Sequence, residues 1–105
     1  MMLSRSLATA LILFPAAALA QEQGDAKEGL AYAKRACAEC HVVTPEGGLS
    51  EVVDAKSFKE IANRRDTTFI SLAAWMQSEH QSMPHIVPEA NELNDVITYI
   101  ISLKK

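Results

Sequence analysis

Apolar residues recur at helical spacing along much of this chain, most regularly at Leu93, Val96, Ile97, Ile100 and Ile101. That i, i+3, i+4, i+7 pattern predicts an amphipathic helix near the C-terminus. Pro88 suits its first helical position, and Lys104 and Lys105 complement the negative end of its dipole. Phe69, Leu72, Ala73 and Met76 repeat the pattern after Asp66 or Thr67 as the starting residue. Ser57 and Glu60 frame a shorter helix with Phe58, Ile61 and Ala62 on its apolar side. From Ala26 to the Cys37–His41 segment the chain is rich in helix formers. Asp25 serves as N-cap, with Glu28 three residues on, as in a capping box. Gly29 inside this helix costs about 1 kcal/mol relative to alanine, which makes sense where another backbone crosses closely. Two stretches lack a period. Val42 to Lys56 contains Pro45, Gly47 and Gly48, and Ser78 to Val87 contains Pro84. Both read as loops, so the fold class is all-α, about four short helices.

Residues 1–20 follow a different rule. Arg5 is their only charge, and an apolar run from Leu7 to Leu19 leads to Ala18-Leu19-Ala20. A run of this length is too short for a membrane span, which needs roughly 20 apolar residues. It fits a secretory signal peptide with a small-x-small cleavage site. The expected division is 1–20, a cleaved signal, and 21–105, one domain exported to the periplasm. Without Arg5 the mature part carries 9 basic against 13 acidic side chains. This balance argues against a nucleic-acid binder, which needs a basic face for phosphates. Its length excludes two domains and a large cavity. Four short helices with two long loops make a thin core, and chains this small often need a staple, a metal or a cofactor.

The two cysteines, Cys37 and Cys40, are three positions apart. A disulfide between them would close a tiny loop and constrain little of the unfolded chain. With His41 they form Cys37-Ala38-Glu39-Cys40-His41, the C-x-x-C-H attachment signature of c-type haem. Two thiols so spaced reach vinyls on neighbouring pyrroles and form thioethers, and the histidine next in sequence falls under the iron. A thioredoxin-like pair belongs beside a βαβ pattern, and no strand precedes this one. A zinc site needs four ligands, and His80 and His85 do not stand at a zinc-finger spacing. The second axial ligand is expected at Met83, in the non-helical stretch 42 residues after His41. A thioether opposite histidine raises the haem potential, and Pro84 restricts Met83 to extended geometry. His80 and His85 are the competing ligands. His80 and Trp75 are also candidates to hydrogen-bond a haem propionate, and Met76 is a core residue.

With these residues together, the region after the signal resembles the small class I c-type cytochromes, the monohaem proteins exported by bacteria. The resemblance covers almost all of residues 21–105. It implies that the N- and C-terminal helices cross at Gly29, against Val96 and Tyr99. It also implies haem c held by Cys37 and Cys40 with His41 and Met83 on the iron. The family often carries an aromatic four residues before the first haem cysteine, where this chain has Ala33 beside Tyr32. It often carries a proline in the loop whose carbonyl accepts from the haem histidine, and Val52–Ser57 has none, so the acceptor is not assigned by sequence. The activity implied is single-electron transfer between redox proteins, not catalysis, by a monomer or a subunit of a redox complex. Acidic residues such as Glu39 would steer a basic partner. Two alternatives remain: a gas- or peroxide-binding haem domain with a displaceable sixth ligand, or a haem subunit of a larger dehydrogenase or oxidase.

Overall fold

The computed structural model describes residues 2–3, 8–12, 24–78, 83–84 and 86–105. The expected cleavage site at Ala18–Ala20, and His80 and His85, lie outside the described residues. Four helices follow one another: α1 (Ala26–Ala36), α2 (Phe58–Ala62), α3 (Phe69–Met76) and α4 (Ala90–Ser102). There is no strand among the described residues. No helix among them is long and apolar enough to cross a membrane.

Each helix starts where a side chain can satisfy its free N–H groups. Asp25 caps α1, its carboxylate accepting from Lys27 and Glu28 at 2.9 and 3.2 Å. The capping box expected with Glu28 does not form. The Asp25 N–H donates instead to the Asp95 carboxylate on α4, at 2.8 Å. Ser57 caps α2 by accepting from the Glu60 N–H at 3.1 Å. The third helix begins at Phe69 with Thr68 as its N-cap, later than the expected Asp66 or Thr67. Thr67 is buried and donates its hydroxyl to the Ile61 carbonyl at 2.6 Å. Thr68 and Ser71 then cap each other reciprocally, at 3.0 and 2.8 Å. The fourth helix begins at Ala90, two residues past Pro88, because Glu92 accepts from the Glu89 N–H at 3.2 Å and fixes the start there.

The helices α1, α2 and α3 each run close to α4, and among the described residues none of the three runs alongside another. Ile97 and Ala33 have no exposed surface, and Val96, Ile100, Tyr99, Tyr32 and Phe58 are buried around them. The α1–α4 crossing is the closest of these contacts. A Cβ added at Gly29 would lie 2.0 Å from the Asp95 carbonyl oxygen and 2.8 Å from the Tyr99 Cβ. At Gly24 it would lie 2.5 Å from the Asn94 carbonyl carbon. Only glycine allows two backbones to approach this far. The Gly24 N–H also donates to the Thr98 hydroxyl at 2.9 Å, joining the start of α1 to α4. Gly29 thus crosses α4 at Asp95 and Tyr99, and Tyr99 is one of the two partners that the resemblance implied.

Candidate functional site

The last turn of α1 runs directly into the Cys37–His41 segment. The Cys37 and Ala38 N–H groups both donate to the Ala33 carbonyl, at 2.8 and 3.0 Å. The Cys40 and His41 N–H groups both donate to the Cys37 carbonyl, at 3.2 and 2.9 Å. Cys37, Cys40 and His41 are therefore carried on one compact turn at the end of the helix that α4 holds. Both cysteines are half-buried and not joined to each other, while Ala38 and Glu39 between them are exposed.

His41 is oriented by two contacts. Its Nδ1 lies 2.6 Å from the Lys56 carbonyl oxygen. A carbonyl only accepts, so Nδ1 carries the ring proton and the Nε2 lone pair is left for a metal. The Phe58 ring packs against the imidazole with centroids 5.4 Å apart, and Tyr99 packs behind Phe58 at 6.4 Å. Through these rings α2 and α4 set the face of the histidine. Lys56 supplies the carbonyl that sequence reasoning left unassigned. It is backbone, so no side-chain type could have marked it.

The loop from Val42 to Ser57 is fastened back onto this turn. The Phe58 N–H donates to the Val42 carbonyl at 2.9 Å. The Tyr99 hydroxyl donates to the Val43 carbonyl, and the Ser50 hydroxyl donates to the Cys40 carbonyl. Burial raises the Tyr99 phenol above its ordinary value, and Glu46 adds to the shift. No motif or spacing marks Ser50 in the sequence.

Met83, the other candidate ligand, lies outside any helix and is half-buried, with Pro84 exposed beside it. Trp75 at the end of α3 is 56% exposed, which sets it at the surface and not in the core. Met76 is half-buried. Among the described residues no group of three or more His, Cys, Asp and Glu side chains stands together to hold a metal ion. A shallow hollow lined by Ser57, Lys59, Glu60, Asn63 and Lys105 includes none of the motif residues.

These residues fit a large, flat, apolar group held at the turn. Two cysteines and an imidazole whose Nδ1 is taken by the Lys56 carbonyl share one short segment. Leu49, Val53, Trp75 and Val87 present large apolar surface on the loops and on α3. Three helices lean on α4 without lining up on one another. The fold and this turn define a small all-α protein built to carry haem by thioethers. A cytochrome c-552 of Bradyrhizobium diazoefficiens is 38% identical to the chain over 80 residues, 76% of each protein. The chain therefore belongs to the small class I c-type cytochromes, and its cofactor is a covalently bound haem c. No family model matches the chain, and no solved structure matches it significantly.

Proposed function

We propose that residues 21–105, released from a signal peptide at 1–20, form a periplasmic carrier of single electrons. Cys37 and Cys40 hold the haem through thioethers, His41 Nε2 ligates one face of the iron and the Met83 sulfur the other. The observation that supports this reading best is the 2.6 Å hydrogen bond from His41 Nδ1 to the Lys56 carbonyl. A metal-binding histidine almost always donates its second N–H in this way, which fixes the ring and raises its basicity. Haem supplies the reversible one-electron change, and the chain supplies two axial ligands, an apolar surround and a fixed geometry. With both axial positions filled by side chains, little is left open for a substrate. The neutral Met83 thioether favours the ferrous state and lifts the potential. Ala38 and Glu39, exposed between the two cysteines, would border the bound haem and offer a partner its approach. Partners are redox proteins that meet this face through small, transient interfaces, with Glu39 steering a basic partner.

The test is a reduced-minus-oxidised visible spectrum of protein made alongside the haem-attachment machinery, then of Met83→Ala. The wild type is expected to show a low-spin c-type spectrum with a sulfur-to-iron band at its red edge, unaffected by carbon monoxide. Met83→Ala is expected to lose that band, fall in potential and bind carbon monoxide. An unchanged spectrum in the variant would mean that another residue ligates the iron. A wild type that takes up carbon monoxide readily would favour the gas-binding domain instead.

A further inference from the structure

The peptide group that joins Cys40 to His41 is held at both ends. Its N–H donates to the Cys37 carbonyl at 2.9 Å, and its carbonyl accepts from the Ser50 hydroxyl. Ser50 is itself held, because its oxygen accepts from the Val52 N–H at 3.1 Å. With that lone pair in use, the hydroxyl proton points to the Cys40 carbonyl. The Ala55 N–H then donates to the Val52 carbonyl at 3.0 Å, closing a turn just before Lys56. Residues 50–56 therefore form a brace with two feet. One foot, Ser50, rests on the peptide that bears His41. The other, the Lys56 carbonyl, rests on the His41 ring at 2.6 Å.

We infer that Ser50 is a positioning residue for His41, setting the strength of the imidazole hydrogen bond to Lys56. The inference rests on the reading of His41 as an iron ligand. Two effects act in the same direction. Donation into the Cys40 carbonyl polarises its peptide and strengthens the N–H bond to Cys37, as hydrogen bonds in a chain reinforce one another. Anchoring residue 50 also fixes where the carbonyl of residue 56 stands. Without the hydroxyl, the half-buried Cys40 carbonyl loses a donor and the Lys56 foot loosens. A weaker Nδ1–H···O bond makes the imidazole a poorer donor to iron. The ferric state, which gains more from a basic ligand, is then less favoured, and the midpoint potential rises.

The experiment compares holoprotein with Ser50→Ala and Ser50→Thr, the second keeping a hydroxyl. Ser50→Ala is expected to raise the midpoint potential and to speed exchange of the His41 ring and backbone N–H protons by about fivefold, the effect of one ordinary hydrogen bond. Ser50→Thr is expected to restore both toward the wild type. The inference is overturned if Ser50→Ala lowers the denaturation midpoint while leaving the potential and the His41 protons unchanged. It is overturned equally if alanine and threonine behave alike. Failure of the underlying reading looks different: the wild type itself would then lack the spectrum of an imidazole-ligated haem.

Discussion

The α1–α4 crossing and the Val42–Ser57 loop both hold the Cys37–His41 turn, and they do so by different physics. At the crossing, backbones touch at Gly24 and Gly29, and Val96, Ile97 and Ile100 are buried beneath. Apolar burial at roughly 25 cal/mol per Å2 is the main stabilising effect there. In the loop only Val43 is buried among the large apolar residues, while Leu49, Val52 and Val53 face outward. What fastens the loop is a set of hydrogen bonds that end on main-chain groups. Tyr99 reaches Val43, Ser50 reaches Cys40, and His41 reaches Lys56. The crossing makes a rigid base. The loop aims groups at the histidine that the base presents. A small protein thus separates the residues that make it fold from those that tune its site.

The sharpest way to break this comparison is to attack the crossing at one atom. Gly29→Val puts a branched side chain where a single Cβ already meets the Asp95 carbonyl at 2.0 Å. Backbone cannot yield as a side-chain tip can, so the helices must separate. The expected loss lies at or above the top of the overpacking range, about 3 kcal/mol. It would be read as a fall in the denaturant midpoint with the haem still attached. The matching loop substitution is Gly48→Ala, where φ is +134° and nothing lies within 4 Å of the added Cβ. Only backbone strain opposes it, about 1 kcal/mol. Equal losses at the two glycines would mean that the loop is packed as tightly as the crossing.

A smaller effect tests the joint between the two regions. Tyr99 belongs to the packed base, yet its hydroxyl serves the loop. Tyr99→Phe keeps the ring against Phe58 and leaves the Val43 carbonyl without its donor. The expected cost is about 1–2 kcal/mol, that of stranding a buried acceptor. Thermal unfolding of the holoprotein measures it. No change would show that water replaces the phenol freely, and that the loop does not depend on the base at this point.

The same division explains what was legible in the sequence. The four helices were readable because burial writes a period into the chain. Leu93, Val96, Ile97 and Ile100 can only line one face, and Asp25 and Ser57 announce their helices as caps. Local rules failed where a distant group competed for the same atom. Glu28 could not complete a capping box because Asp95, 70 positions away, had taken the Asp25 N–H. Thr67 could not start α3 because its hydroxyl was spent on Ile61. In the site, the Cys37–His41 motif stood out because the chemistry needs those side chains at that spacing. The Lys56 carbonyl and the Ser50 brace did not stand out. Any residue offers a carbonyl, and a loop serine has many possible partners until the fold brings one near.

The smallest expected effect sharpens the account of Tyr99, and its sign follows from proton linkage. Burial, with Glu46 in support, holds the folded phenol above its ordinary value of 10.0. In the unfolded chain the group ionises near that value. Between the two the unfolded state binds fewer protons than the folded one, so stability falls as pH rises. Well below pH 10 both states are protonated and the group adds no pH dependence. The stability advantage of wild type over Tyr99→Phe should therefore stay constant through neutral and mildly alkaline pH. It should shrink as pH climbs from 10 toward the folded phenol's raised value, because phenylalanine cannot ionise. Denaturant midpoints of the two proteins across that range measure the difference. A gap that holds unchanged through the alkaline range would mean that Tyr99 ionises as easily in the fold as outside it, and that its bond to Val43 is open to solvent.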